Sequence, residues 1–148
     1  MQATRRVAIL GGIRVPFCRN NTAYFDIGNL GLSTIVLGGL VEKFRLQGQI
    51  LGEVAMGAVL KHSSDFNLAR EATLSSGLSP YTPGITIVRA CGTGLDALVT
   101  VANKIALGQI EAGIGGGSDT TSDVPIAVSK KLRRRLLDLN RARTLGER

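Results

Sequence analysis

The stretch Ile85-Thr86-Ile87-Val88-Arg89-Ala90-Cys91-Gly92-Thr93-Gly94-Leu95 joins a strand pattern to a helix pattern at a cysteine. Its first four residues are apolar or β-branched, as in a buried strand. The helical pattern that follows continues to Leu107 and is closed by Gly108. Cys91 is therefore predicted to lie at the turn between a strand and the N-terminus of a helix.

A thiol at the N-terminus of a helix is well placed to act as a nucleophile. The free N–H groups and the positive end of the helix dipole favour a thiolate over a thiol there. Gly92 and Gly94 leave room for a substrate carbonyl to approach the backbone N–H groups. The competing interpretation is that Cys91 is a small buried hydrophobic residue, as free cysteines usually are.

The second cysteine, Cys18, lacks a comparable setting, and we expect it to fill the core or to lie behind the site. Two cysteines so far apart in sequence do not indicate a metal site, and neither a metal nor a permanently bound cofactor is predicted. Their small number fits a reducing compartment.

Strand and helix patterns alternate along the chain, which predicts an α/β fold with helices on both faces of a mostly parallel sheet. The predicted strands are 7–11, 53–60, 84–88 and 110–116, and the predicted helices are 30–46, 68–76 and 93–107. The last of these helices is apolar almost all round. We expect it to be buried, with a second domain or subunit completing its packing.

The composition is that of a globular domain, with 148 residues of which 44% are hydrophobic. No apolar run approaches the roughly 20 residues that a membrane span needs, and the N-terminus does not resemble a signal peptide. A cytoplasmic location is the resulting expectation.

The net charge of +7 is concentrated near the C-terminus. Residues 130–148 contain eight Lys or Arg against Asp138 and Glu147, which gives +6 and leaves +1 for residues 1–129. Three interpretations are open. The first is a solvated helix face. The second is a surface that attracts the phosphates of coenzyme A, a partner subunit or anionic lipid, and the third is a nucleic-acid site. The third is the weakest, because the chain has no Trp and no recognisable nucleic-acid module, so no nucleic-acid partner is predicted.

A second motif overlaps the cysteine turn. Residues 92–97 match the dinucleotide-binding pattern G-x-G-x-x-A, and Asp119 supplies an acidic residue after the next strand. The motif lies in the third strand–helix unit rather than the first, however, and its spacing to Asp119 exceeds the usual distance of about 20 residues. A dinucleotide-binding domain and a noncatalytic assembly module therefore remain as alternatives to an acyl-transfer enzyme.

The segment around Cys91 resembles the nucleophile segment of the thiolases. Four further stretches resemble that family in the same order along the chain, and the version with S-D-V-P-I is most similar to the β-subunit thiolases of the fatty-acid oxidation trifunctional complex. They are Arg14-Val15-Pro16-Phe17, Asn67-Leu68-Ala69-Arg70-Glu71-Ala72, Gly115-Gly116-Gly117-Ser118-Asp119 and Ser122-Asp123-Val124-Pro125-Ile126.

The resemblance implies the N-terminal half of the layered α-β-α-β-α thiolase fold, with a core over 1–119 and the start of an inserted, basic and incomplete loop domain over 120–148. It also implies acyl transfer between acyl-CoA and coenzyme A through an acyl group on Cys91, with coenzyme A as a substrate. A homo-oligomer, with residues 85–88 near the interface, and an α-subunit partner are further expectations.

The groups that thiolases carry in their second half have no counterpart here. Full thiolases are more than twice this length, and their G-H-P histidine, N-E-x-F-A segment and second catalytic cysteine are missing. The single histidine, His62, lies in a polar loop, where anchoring the loop or facing solvent is a better interpretation than acting as a base. We therefore expect these 148 residues alone not to turn over substrate.

Overall fold

The computed structural model describes residues 4–142 and contains a parallel three-stranded sheet with helices on both faces. Strand β1 (Glu53–Met56) lies at the centre, between β2 (Gly84–Thr86) and β3 (Gly113–Gly115). Val54 pairs with Gly84 on one side and with Ile114 on the other, and both pairings are parallel. The predicted α/β class and the helices on both faces are confirmed.

Helices α1 (Asn29–Phe44) and α2 (Leu68–Ser75) cover one face of the sheet. Alternate residues of a strand point to opposite faces, so Val54 and Met56 face these two helices. They form the larger part of the core together with Leu37, Val41, Ala69, Ala72 and Leu78. All four residues of β1 are buried, as expected for the central strand of a sheet covered on both faces.

Helix α3 (Thr93–Ala106) packs on the opposite face, where Ala55 of β1 meets Ala97 and Val101. Gly115 lets this helix approach very closely. A Cβ at position 115 would stand 2.5 Å from the Cα of Leu98, a distance that real Cβ atoms do not show. The glycines of this strand therefore serve close packing between backbones, as glycines in strands often do.

One sequence prediction is corrected by the structure. Residues 7–11 form no strand, and the chain runs from Val7 to Arg19 without helix or strand.

Helix α3 is expected to need a second domain or subunit to complete its packing. Within residues 4–142 only Thr93, Ala97 and Val101 of this helix are buried. The side facing away from the sheet is open to solvent, with Leu95 69% and Val99 44% exposed.

The remaining helix boundaries follow from local backbone chemistry. Helix α1 ends two residues before the predicted end, because Arg45 adopts the left-handed conformation with φ 54°. The N-cap of helix α2 is Asn67, whose side chain accepts a hydrogen bond from the Arg70 N–H at 3.1 Å. The same amide donates to the Gly84 carbonyl at 3.0 Å, so the residue that starts the helix also binds it to β2.

A fourth helix, α4 (Lys130–Arg141), follows a stretch without helix or strand and has no buried residue. Its N-cap is Ser129, whose hydroxyl accepts a hydrogen bond from the Leu132 N–H at 3.2 Å. None of the helices within residues 4–142 is long and apolar enough to cross a membrane. The last part of the predicted basic stretch, 143–148, and the first three residues lie outside the described residues.

Candidate active site at Cys91

Cys91 lies where the sequence predicts it, between the end of β2 and the start of α3. Its side chain is exposed. The interpretation of Cys91 as a buried hydrophobic residue is therefore wrong for this chain. Cys18 is exposed as well, so the prediction that it fills the core is also wrong.

The turn that carries Cys91 is fixed by the hydroxyl group of Thr93. This hydroxyl accepts a hydrogen bond from the Arg89 N–H at 2.8 Å and donates one to the Ala90 carbonyl at 2.8 Å. Two backbone hydrogen bonds close the same turn, from the Gly92 N–H to the Arg89 carbonyl at 2.9 Å and from the Thr93 N–H to the Ala90 carbonyl at 3.2 Å. The thiol is thus carried by a backbone with little freedom to move.

Ala90 adopts a strained backbone conformation next to the cysteine. Its φ of 43° lies in the left-handed region, which costs a residue with a Cβ on the order of 1–3 kcal/mol. The surrounding hydrogen bonds of the turn hold the strain in place. A sharp turn of this kind projects the following side chain, Cys91, away from the sheet and into solvent.

The backbone of Gly57, just beyond β1, comes very close to this turn. A Cβ at position 57 would stand 1.8 Å from the Ile87 carbonyl oxygen and 2.6 Å from Cγ2 of Thr93. Only glycine, which has no Cβ, fits at position 57. The end of the central strand therefore supports the backbone on which Cys91 is mounted.

Charged groups next to the cysteine are paired with each other. Nε of Arg89 lies 3.1 Å from a carboxylate oxygen of Asp96, which occupies the first turn of α3. An acidic residue in the first turn is favourable to a helix. The Arg89 side chain is 73% exposed, so this pair contributes little to stability.

A second polar cluster lies beyond the end of β3. The Asp119 carboxylate accepts hydrogen bonds from the N–H groups of Val59 and Leu60 at 2.9–3.0 Å. These two bonds connect the loop after β3 to the loop after β1. In the dinucleotide interpretation the Asp119 carboxylate would accept a hydrogen bond from a ribose hydroxyl. That hydroxyl would have to compete for the carboxylate with the N–H groups of Val59 and Leu60.

His62 anchors a loop, as the sequence analysis predicts. Its Nε2 lies 2.9 Å from Oδ1 of Asp123 in the segment after β3. Since His62 is the single histidine of the sequence, these 148 residues offer no second imidazole to act as a base for Cys91. No group of three or more His, Cys, Asp or Glu side chains within residues 4–142 is arranged to hold a metal ion.

Two cavities are lined in part by the N-terminal segment. One, of about 390 Å³, is lined by Arg14, Cys18, Tyr24 and Asp119 among others. The other, of about 440 Å³, is mainly apolar and lies between residues 9–13, α1 and β3. Cys91 lines neither cavity. The candidate site is therefore the exposed turn that carries the thiol, and not a cavity.

Sequence reasoning missed Thr93 as the residue that fixes the cysteine turn. A Thr hydroxyl that bonds to nearby backbone groups at the start of a helix is a common arrangement, and its position two residues after Cys91 is the signal that was available. It also missed Asn67, whose side chain accepts from the Thr86 hydroxyl at 2.9 Å in addition to its capping bond. Both residues act on the backbone around the site.

A comparison with protein families decides the identity of the fold. The family model described as "Thiolase, N-terminal domain" matches residues 7–144. This chain belongs to the thiolase family. The resemblance based on the sequence motifs is thereby confirmed.

Named thiolases are similar along almost the whole chain. A "3-ketoacyl-CoA thiolase" of Cronobacter sakazakii is 40% identical over 143 residues, which cover 97% of this chain and 33% of that protein. A protein of the same name from Escherichia coli is 38% identical with the same coverage. The chain thus spans about a third of the length of the curated relatives that it matches, in agreement with the expectation that thiolases are more than twice as long.

Among solved structures, the acetyl-CoA acetyltransferase of Bacillus anthracis is similar to this chain. The two share 27% sequence identity with a TM-score of 0.83, over 88% of this chain and 33% of the other. The fold class predicted from the sequence, the N-terminal part of the thiolase architecture, is thereby confirmed.

Proposed function

We propose that Cys91 is the acyl-carrying nucleophile of a thiolase that acts on 3-ketoacyl-CoA. The observation that carries the proposal is the exposed thiol on a rigid turn at the N-terminus of α3, in a chain of the thiolase family. The Cys91 sulfur attacks the 3-keto carbonyl, the bond between C2 and C3 breaks, and acetyl-CoA leaves after its C2 takes up a proton. The thiol of a second coenzyme A then attacks the acyl-Cys91 thioester, which releases the shortened acyl-CoA and restores the cysteine.

The donors available to the developing oxyanion are few. The N–H groups of Gly92 and Thr93 already bond to carbonyls within the turn. We therefore assign the N–H of Cys91 itself as one donor to the oxygen of the acyl thioester, a role that suits a helix N-terminus. Gly92 and Gly94 keep the approach to this donor open.

The proton transfers require groups that these 148 residues do not supply. Thiolysis needs a base that activates the thiol and an acid that protonates the leaving C2 carbon. The one histidine, His62, is bound to Asp123. We propose that the chain accepts an acyl group on Cys91 but does not turn over until the other part of a thiolase joins it.

The open side of α3 supports assembly with more protein. Leu95 is 69% exposed and Val88, beyond the end of β2, is 54% exposed. Leu95 and Val99 are four residues apart and share a face of α3, and adjoining exposed apolar side chains mark a surface for a partner. We propose a homo-oligomer, with an α-subunit of a fatty-acid oxidation complex as a further partner, and a loop domain that begins at residue 120.

Intact-mass spectrometry tests the assignment of Cys91. The chain is exposed to acetoacetyl-CoA or acetyl-CoA, alone and mixed with the C-terminal part of a thiolase, and the acetyl adduct is measured. Cys91→Ala is expected to abolish the adduct. Cys18→Ala is the matched control, because Cys18 is the other exposed cysteine of the chain, and it is expected to leave the adduct unchanged.

Two results would overturn the proposal. One is an adduct that disappears in Cys18→Ala and persists in Cys91→Ala. The other is the lack of any adduct in both the isolated and the mixed samples, which would leave a noncatalytic assembly module. A shift in melting temperature with NAD, absent in Gly94→Val, would instead favour the dinucleotide-binding alternative.

A further inference from the structure

The Thr93 hydroxyl makes both of its hydrogen bonds within the cysteine turn. It accepts from the Arg89 N–H and donates to the Ala90 carbonyl, each at 2.8 Å. A hydroxyl has a single proton to donate, so this one has none left for a substrate. Thr93 is also only 5% exposed, and its methyl carbon lies so close to Gly57 that a Cβ there would stand 2.6 Å from it. Thr93 therefore acts on the turn and not on a bound molecule.

The carbonyl that Thr93 holds and the N–H of Cys91 belong to one peptide unit. The bond between Ala90 and Cys91 is trans. A trans peptide unit is planar, and its C=O and N–H point in opposite directions. The Ala90 carbonyl accepts from both the hydroxyl and the N–H of Thr93, so it is turned towards the start of α3. The Cys91 N–H is therefore turned away from the buried Thr93 side chain, towards the surface on which the thiol is exposed.

The strain at Ala90 works against this orientation. A return of its φ from 43° to the negative region would rotate the peptide unit of the Cys91 N–H relative to the unit before it. The Thr93 hydroxyl opposes the rotation, because its two bonds hold a peptide unit on each side of the strained residue. Without the hydroxyl, the Ala90 carbonyl keeps the longer bond from the Thr93 N–H, at 3.2 Å.

We propose that Thr93 is a positioning residue for acyl transfer, whose hydroxyl aims the Cys91 N–H at the oxygen of the acyl group. The inference rests on the proposed function, in which that N–H stabilises the oxyanion. The hydroxyl then matters for a reaction that passes through an oxyanion and much less for one that only consumes the thiolate. A residue that merely stabilised the turn would affect both reactions alike.

Two reagents that need no coenzyme A site separate these roles in the full chain. With p-nitrophenyl acetate, a bond forms between sulfur and the carbonyl carbon through an oxyanion, p-nitrophenolate leaves, and the thiol proton goes to solvent. Iodoacetamide alkylates the same sulfur by displacing iodide, with no oxyanion. Mass spectrometry gives both rates at Cys91, each divided by the rate at Cys18, the other exposed cysteine. We expect Thr93→Val to lower acetylation of Cys91 about fivefold relative to alkylation, less than in a site that excludes water.

Thr82→Val is the matched control. Thr82 is buried, and its hydroxyl likewise accepts from a backbone N–H, of Leu51 at 3.1 Å, and donates to a carbonyl, of Gln49 at 3.4 Å. Thr82 precedes β2 whereas Cys91 follows it, so this variant is expected to weaken the fold without changing the ratio of the two reactions. Thr93→Ser keeps the hydroxyl and should retain the ratio.

A second pair of variants guards against a Val variant that does not fold. Thr93→Ala and Thr93→Ser both lack the methyl group and differ by the hydroxyl alone, and circular dichroism checks each fold. Equal losses in both reactions, an unchanged ratio in Thr93→Val and Thr93→Ala, or the same fall in Thr82→Val would each overturn the role of Thr93. Failure of acetyl-CoA to acetylate the original chain would instead overturn the proposed function, because the two reagents act without a coenzyme A site.

Discussion

The backbone of Gly115 in β3 and the Cα of Leu98 in α3 are so close that a Cβ on residue 115 would stand 2.5 Å from that Cα. The nearby atoms all belong to the backbone of α3, which cannot turn aside as a flexible side chain would. This contact fixes the distance of α3 from the sheet. It therefore also fixes the position of the Cys91 turn, which leads into the same helix.

We predict that Gly115→Ala destabilises the chain by about 1–3 kcal/mol, because the added methyl group forces α3 and β3 apart. Urea denaturation followed by circular dichroism measures the change. Gly116→Ala is the matched control, since a Cβ at that position meets nothing within 4 Å. If both variants unfold at the same urea concentration, the close approach does not exist in solution.

The ion pair between Glu53 and Lys104 gives a second prediction. Its atoms lie 2.6 Å apart, and the Glu53 side chain is only 10% exposed at the edge of the core. Lys104→Met leaves a nearly buried carboxylate without its donor and its cation, and we expect a loss of about 1–3 kcal/mol. The double variant Lys104→Met/Glu53→Gln should recover part of this loss, because the unpaired charge is then gone.

A matched exposed pair controls for the effect of charge alone. Arg5 and Glu111 lie at the same distance of 2.6 Å, but their side chains are 49% and 84% exposed. Glu111→Gln should change the unfolding free energy by less than about 1 kcal/mol. Losses of equal size for Lys104→Met and Glu111→Gln would contradict the role that we give to burial.

The periodicity of apolar residues predicted the main helices and strands, because a strongly periodic pattern fits one type of element. The apolar spacing in α1 is typical of a helix, and the β-branched run before Cys91 begins as a strand because it has β1 as its pairing partner. The helix after Cys91 was predicted from its pattern as well, but its burial depends on what surrounds it. Within residues 4–142 one side of α3 has no neighbour, so Leu95 and Val99 are exposed, as expected if a second domain or subunit completes the packing.

The N-terminal strand was the main error of the sequence analysis. The segment 7–11 has the apolar, β-branched character of a strand, but a strand needs a hydrogen-bonding partner as well as the right residues. In the structure this segment borders the 440 Å³ cavity next to β3 and pairs with no strand. The position of Cys91 was predictable from its neighbours, whereas the bonds of Thr93 that fix it depend on geometry within the turn.

We predict that Asp119→Ala destabilises the chain by about 1 kcal/mol, because the N–H groups of Val59 and Leu60 lose their carboxylate acceptor at an exposed site where water can take its place. Asp119→Asn retains one acceptor oxygen and should cost less. Asp65→Ala is the control and should have little effect, because the Asp65 carboxylate accepts from the hydroxyl of the adjacent Ser64, at 3.2 Å, rather than from a distant loop. Denaturant titration checks these values. A melting temperature of the original chain that NAD leaves unchanged, or an NAD shift that is the same in Asp119→Ala, would exclude a ribose-binding role for Asp119.

The last prediction concerns the ionisation of Tyr24. Partial desolvation, followed by the hydrogen bond to Cys18 and the charge of its thiolate, raises the pKa of the Tyr24 phenol above its ordinary value of 10.0. A phenol whose pKa is higher in the folded chain stabilises the fold below its unfolded pKa, and this contribution is lost as the pH rises through the folded pKa.

The chain has two tyrosines, so a Tyr81→Phe background leaves Tyr24 as the single phenol to follow by phenolate absorbance. In that background Cys18→Ala is expected to lower the pKa of Tyr24 towards 10.0, because desolvation then acts alone. Cys91→Ala is the control and should leave the titration unchanged. An equal Tyr24 pKa with and without the Cys18 thiol would show that the two side chains do not interact.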